Sequence, residues 1–181
     1  MTATRPGPEG SDADAEVAAV LEGRDRIELD PALVEEPAPP QVRESAAVRI
    51  RRLTVPERVK LALRGNREAR QILARDPVKL VQGCVLRNPR ITVDEALAMA
   101  KNRSLPGELL RAIAAEREWV RHYALRLALV QNPKTPLPVA LGLLGGIHER
   151  DMRLLARSKN VPTVLQAQAR RILTRRGGAG G

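Results

Sequence analysis

LRNPRITVDEAL at residues 86–97 and VQNPKTPLPVAL at residues 130–141 share one frame. Set 44 residues apart, both carry Asn-Pro, a basic residue directly after it, and Ala-Leu at matching places. The residue before a proline is pushed out of the helical region, so Asn88-Pro89 and Asn132-Pro133 each end a helix. Thr92-Val93-Asp94-Glu95 has the spacing of a capping box, in which the threonine and the glutamate satisfy each other's backbone donors. Thr135-Pro136 opens the matching helix in the second copy. One chain that writes the same corner twice builds the same helix–turn–helix unit twice.

Outward from these corners the helix signals follow one another closely. Thr54-Val55-Pro56-Glu57 is another capping box and predicts a helix to about Arg64, ended by Gly65-Asn66. A short helix is expected from Glu68 to Ala74. Asp76-Pro77 predicts the next, with Asp as N-cap and Pro at the first helical position, running to Asn88. The Thr92 helix extends to about Lys101, where Asn102 is expected to close it in the left-handed conformation. Further helices are expected from Pro106 to about Ala115 and from Glu118 to Val130, the longest. Three more start at Thr135, Glu149 and Pro162, the last reaching about Arg175. That makes about nine short helices and no credible strand. A Lys-Asn closure followed closely by Pro recurs at 101–106 and 159–162. Short helices with recurring punctuated turns are the mark of stacked helical repeats, each too small to hide its apolar stripe alone.

Composition agrees with thin helical layers. Hydrophobic residues make up 43% of the 181, yet there is no Phe, one Trp (Trp119) and one Tyr (Tyr123), so the core is aliphatic. Cys84 is the one cysteine, which excludes an intramolecular disulfide and any multi-cysteine metal site. No basic region followed by an apolar run opens the chain, so no signal peptide is expected. The longest apolar stretch, Leu137 to Ile147, is interrupted by Pro138 and three glycines and falls short of the roughly 18 residues a membrane span needs. The expectation is a soluble cytoplasmic protein, monomeric by default.

The net charge of +10 is unevenly spread. Residues 1–44 hold 11 acidic and 4 basic side chains, residues 45–181 hold 10 acidic and 27 basic. The first stretch also carries 6 of the 14 prolines. Such a segment buries too little apolar surface to offset its ordering entropy. The organisation expected is therefore a disordered acidic, proline-rich arm over residues 1–48, a basic helical-repeat domain over 49–176, and a glycine-rich tail over 177–181. The arm reads as a solubilising linker, as a docking segment or as an intramolecular cover for the basic body.

The stretch REWVRHYALRLALVQNPKTPLPVAL resembles the leucine-rich-repeat-variant unit, at Val120, Arg121, Asn132, Pro133, Thr135, Pro136 and Leu141. The likeness recurs more weakly at Val85, Asn88, Pro89, Thr92 and Leu97. Residues 54 to 175 as a whole are similar to HEAT-like repeat proteins. The spacing of about 44 exceeds one family unit, so two units fit between the Asn-Pro turns. Some proteins of the variant family carry a cysteine-rich iron–sulfur module, which one cysteine cannot hold. The resemblance implies an all-α solenoid used for binding, without a shared substrate.

No catalytic motif stands out: there is no P-loop, HExxH, GxSxG or paired cysteine. His122 and His148 read as surface histidines, and Cys84 as a buried small hydrophobe. The expectation is no enzyme, no cofactor and no metal. Trp119 and Tyr123, four apart and flanked by Arg117 and Arg121, read either as a stacking platform for a nucleobase or as anchors of the stack. Val120, Ala124 and Leu127 complete an apolar stripe there that is expected to face the core. The strongest signal is basic. Arg64, Arg67 and Arg70 cluster near the first turn. Arg150, Arg153 and Arg157 follow helical spacing, and Arg170 and Arg171 crowd the last helix with Arg175 and Arg176. This excess of positive charge attracts an acidic protein surface or the phosphates of nucleic acid. Three functions compete: an adaptor for an acidic protein partner, a sequence-nonspecific DNA or RNA binder, and an enzyme similar to HEAT-like DNA glycosylases. The last needs more aromatics around a damaged base than this chain owns.

Overall fold

The computed structural model describes residues 9–35 and 45–178. Among these the chain is entirely helical, with thirteen helices and no strand. It divides after Ile91 into two compact units.

Unit 1 contains α1 (Glu9–Leu21), α2 (Pro31–Val34), α3 (Ala46–Arg51), α4 (Val55–Arg64), α5 (Arg67–Leu73) and α6 (Lys79–Leu86). Helix α4 is its centre and packs against α1, α2, α5 and α6. Val59, Leu61 and Ala62 of α4 have no exposed surface, nor do Ala69 and Leu73 of α5 or Val81 of α6. Burying each Val or Leu contributes about 1.5–3 kcal/mol.

Residues 9–35 and 45–48, read from composition as part of a disordered arm, depart from that expectation. Val17 and Val20 of α1 and Leu33 of α2 are buried, as are Ala46 and Ile50 of α3. The segment is tied down by polar contacts too. Lys60 donates to the Asp25 carboxylate and to the Ile27 carbonyl. Arg49 pairs with Asp30, and Asp30 Oδ1 caps α2 by accepting from Ala32 N–H at 3.0 Å. Composition failed here because the apolar surface that offsets the ordering entropy belongs largely to α4 and α5. Gly23 makes the turn out of α1 with φ of 73°, the one left-handed residue among those described. Residues 1–8, 36–44 and 179–181 lie outside the described residues, so the expectations for the rest of the arm and for the tail end fall there.

Unit 2 contains α7 (Val93–Lys101), α8 (Gly107–Ala115), α9 (Arg117–Arg121), α10 (Tyr123–Gln131), α11 (Leu137–Leu144), α12 (Glu149–Leu155) and α13 (Thr163–Gly178). Helix α10 packs against α7, α8, α9 and α11, while α13 packs against α11 and α12. One aliphatic cluster joins Val130, Ala140, Leu144, Ile147, Met152, Leu155, Val161 and Leu165.

The helix expected from Glu118 to Val130 is two helices. His122, with ψ of 114°, leaves the helical region and serves as C-cap of α9 and N-cap of α10. Helix α13, at 16 residues, is the longest instead. The count of about nine is exceeded for this reason and because α1–α3 are ordered. Helix α6 starts at Lys79 rather than at Pro77. Asp76 spends one carboxylate oxygen on Val78 N–H at 2.8 Å, which holds a turn before the helix begins.

The repeated corner has a repeated mechanism. The Asn132 side-chain amide donates to the carbonyls of Ala100 (2.7 Å) and Asn102 (3.0 Å) at the end of α7. Its oxygen accepts from Lys134 N–H at 2.9 Å. In unit 1 the Asn88 amide donates to Ala62 (2.9 Å) and Gly65 (3.3 Å) at the end of α4, and its oxygen accepts from Arg90 N–H at 2.9 Å. Both asparagines are almost fully buried. Each therefore supplies partners for the carbonyls that a helix end leaves unsatisfied, and each locks its own turn. Asn66 does the same for α2, donating to Ala32 and Glu35 at 3.0 Å each.

The left-handed closure expected at Asn102 is not used: its φ is −71° and its ψ 111°. The Asn102 oxygen instead accepts from Ser104 N–H at 2.9 Å, and Ser158 holds Asn160 N–H in the same way at 3.3 Å. The two capping boxes form as their spacing dictates. Glu95 accepts from the Thr92 N–H at 2.9 Å, and the Glu57 carboxylate accepts from both the N–H and the hydroxyl of Thr54.

Candidate functional site

Basic side chains divide into two populations. The first clamps helix ends. Arg70 is 2% exposed and donates to the Gly65 carbonyl at 3.1 Å. Arg90 donates to Val34 and Arg64, closing α2 and α4. Arg126 reaches Val120 at the end of α9 and Gly146 just after α11. Arg170 donates to Ala156 at 3.0 Å, and Arg176 to Ile147 and Gly145 at 3.0 and 2.8 Å. Helix C-termini present unpaired carbonyls and a negative dipole end, so a guanidinium there satisfies both. Arg70 is thereby removed from the candidate binding residues, because a buried cation cannot meet a partner. Arg170 keeps an exposed surface while holding its carbonyl.

The second population faces solvent. Arg64, Arg67, Arg117, Arg121, Arg150, Arg153, Arg157 and Arg171 are all exposed. Arg121 pairs with Glu118 at 2.9 Å and Arg153 pairs with Glu149, both at the surface, where such pairs contribute little. Arg150 and Arg153 lie on α12, but Arg157 follows the helix end at Leu155, so the three do not share one helix face. Arg64 ends α4 and Arg67 begins α5, on either side of the Gly65-Asn66 corner.

Trp119 and Tyr123 do not share a helix face either, since α9 ends between them. Both are half-buried. The Tyr123 ring stacks on His148, with centroids 3.8 Å apart and planes 10° from parallel. Its hydroxyl donates to Asp151 and accepts from His148 N–H at 3.3 Å. Burial, and then the bond to Asp151, push the phenol above its ordinary pKa. One face of this ring is therefore spent on joining α10 to the start of α12. Cys84 is 1% exposed, and burial raises its thiol pKa, as a packed hydrophobe requires.

Most of the net charge excess lies in unit 2. Residues 1–91 hold 16 basic and 14 acidic side chains, residues 92–181 hold 15 basic and 7 acidic. Unit 2 also presents two surface hollows. One, of about 560 Å³, lies on α13 and is lined by Gln168, Arg170, Arg171, Ile172, Thr174 and Arg175. The other, of about 390 Å³, lies between the end of α7 and α10, with Lys101 and Arg103 on one side and Ala124, Leu127 and Gln131 on the other.

Sequence reasoning missed the second hollow because it placed the Ala124–Leu127 stripe wholly toward the core, whereas only part of Leu127 packs against the aliphatic cluster. Ala124 is exposed and Leu127 only half-buried, whereas Leu125 and Leu129 have no exposed surface. The break at His122 resets the helix, so a stripe extrapolated from Val120 carries the wrong phase. Reading α10 from Tyr123 alone would have found two apolar faces rather than one.

Among the described residues no three His, Cys, Asp or Glu side chains are placed to hold a metal ion, and no helix is long and apolar enough to cross a membrane. Comparison with family models, with curated proteins and with solved structures finds no match.

Proposed function

We propose that the chain is a non-enzymatic helical-repeat adaptor that binds an acidic protein segment through its basic surface. The observation that carries this reading is an asymmetry of charge compensation. In unit 1 an acidic stretch of the chain itself lies along α3 and α4, with Asp25 on Lys60 and Asp30 on Arg49. Unit 2 has no comparable segment among the described residues, and its 15 basic side chains outnumber its 7 acidic ones. The chain thus holds an acidic polypeptide against one of its helical units and leaves exposed cations of the other, Lys101 and Arg103 among them, without an acidic partner among the described residues. A stacked-repeat architecture, supported by the matching Asn88 and Asn132 clamps, suits this use, since repeat folds present extended surfaces for binding.

A second reading, sequence-nonspecific binding of DNA or RNA, is favoured by the α13 hollow. Arg171 and Arg175 lie four apart on that helix, and both are exposed. Phosphates are attracted to such a pair without base reading. A glycosylase is disfavoured by the loss of Tyr123's ring face to His148.

Fluorescence anisotropy on the full chain separates these readings. A labelled polyglutamate and a labelled duplex DNA are titrated at about 50 mM salt and upward, where each neutralised phosphate contributes about −0.9 to the slope of log K against log[salt]. The adaptor reading expects saturable polyglutamate binding at least as tight as that of DNA. Tight, steeply salt-dependent DNA binding with none to polyglutamate would replace it by the second reading.

A further inference from the structure

Helix α10 is unusual for a protein with 29% charged residues. Its nine residues, YALRLALVQ, contain one charge, Arg126, and that guanidinium is engaged by the carbonyls of Val120 and Gly146. The inner face, Leu125 and Leu129, is fully buried. The groove-side face carries exposed Ala124 and Gln131, half-buried Leu127 and, at its foot, buried Ala128, an i, i+3, i+4, i+7 stripe without a charge. A surface helix ordinarily turns a polar face to water, and a helix that is apolar all round is one meant to be covered all round. Leu125, Ala128, Leu129 and Val130 are covered within unit 2, while Ala124 and part of Leu127 stay open on the other side.

The outer stripe floors the 390 Å³ hollow, and the end of α7 forms the opposite wall with Ala100, Lys101 and the following Arg103. Asn132, at the base, ties the two walls together through its bonds to Ala100 and Asn102. The groove is therefore built by the same clamp that makes the repeated corner. Lys101 and Arg103 are exposed and make no ion pair among the described residues.

We infer that this groove is the docking site for an acidic protein segment bearing aliphatic anchor residues, the anchors entering between α7 and α10 and flanking carboxylates meeting Lys101 and Arg103. This rests on the adaptor reading and gives it a place. The charge of the rim selects an anionic segment. The floor of methyl groups has no aromatic plane on which a nucleobase would stack, so an aliphatic side chain suits it better.

The test uses the full chain and two labelled peptides of equal charge, one alternating glutamates with leucines and the other alternating glutamates with serines. The leucine peptide is expected to bind about tenfold more tightly, the affinity equivalent of about 1.4 kcal/mol. Amide shifts are expected at Ala124, Leu127 and Gln131. Ala124→Glu, a change at an exposed position, is expected to abolish the leucine peptide's advantage and leave the circular-dichroism melt unchanged. Arg103→Glu is expected to weaken both peptides, and more so than Arg111→Glu on α8. Equal binding of the two peptides, or an advantage that survives Ala124→Glu, overturns the groove and leaves the adaptor reading intact. Binding of neither peptide overturns the adaptor reading itself. Displacement of the leucine peptide by duplex DNA with loss of the same amide shifts would assign the groove to nucleic acid.

Discussion

The side-chain amide of Asn132 reaches 2.7 Å to the carbonyl oxygen of Ala100, across 32 positions of sequence, and so fastens the end of α7 to the end of α10. Asn88 repeats the bond toward Ala62 in unit 1. An asparagine read as a helix stop is thus a clamp between two helices, with its oxygen left for the turn.

Replacing Asn132 by Ala strips three bonds from a residue that is 6% exposed. The expected loss is about 1–3 kcal/mol, since the orphaned Ala100 carbonyl stays buried. Asn132→Asp is expected to be no better, because a carboxylate cannot donate. Asn102→Ala, which gives up a single side-chain bond at a half-buried turn, is expected to cost less. Urea denaturation of the three variants checks the order.

The face of α10 is tested by a pair of truncations. Leu125→Ala empties a fully buried site and is expected to cost about 2–5 kcal/mol. Leu127→Ala, at the half-buried groove wall, is expected to cost clearly less. Equal costs would mean that the helix is rotated from the orientation described.

The two arginine populations are told apart in the same way. Arg67→Ala, on the surface of α5, is expected to stay within about 0.5 kcal/mol of the parent. Arg70→Ala removes a buried guanidinium from the end of α4 and is expected to be strongly destabilising. Thermal melts read both.

The Asp25–Lys60 pair predicts a pH dependence. The hydrogen bond from Lys60 is the main cause holding the Asp25 carboxyl below its ordinary value of 3.8. A depressed folded-state pKa contributes stability above the unfolded value, and that contribution is lost as pH falls through 3.8 toward the folded value. Asp25→Asn is therefore expected to flatten the acid limb of stability measured from pH 5 downward. Lys60→Met is expected to destabilise at neutral pH, because the Asp25 carboxylate loses its ion-pair partner and keeps only the Ile27 N–H. Unchanged acid limbs would mean that the segment 22–30 does not rest on α4.

What the sequence could tell followed the range of each interaction. Local chemistry was legible: Thr92 with Glu95, Thr54 with Glu57, and the stops at Asn88 and Asn132 depend on residues within four positions. Longer-range partners were not. Val17, Val20 and Leu33 look too sparse to fold, because the apolar surface they meet lies on α4 and α5. Nothing in the one-dimensional pattern separates Arg70, which clamps Gly65, from Arg67, which faces water. The helix break at His122 carries no glycine or proline, so α9 and α10 read as one helix and the exposed Ala124 reads as core. The charge split was visible in the numbers, and of the readings it allowed the intramolecular cover is the one the Asp25–Lys60 and Asp30–Arg49 pairs fit, though the segment is folded into unit 1 rather than a disordered arm.

The most direct test of the account is an amide chemical-shift map of the full chain titrated with polyglutamate at low salt. Shifts confined to residues 92–181, centred on Lys101, Arg103 and α10, are the predicted result. Shifts spread evenly over residues 45–91 and 92–181, or none at all, would contradict it.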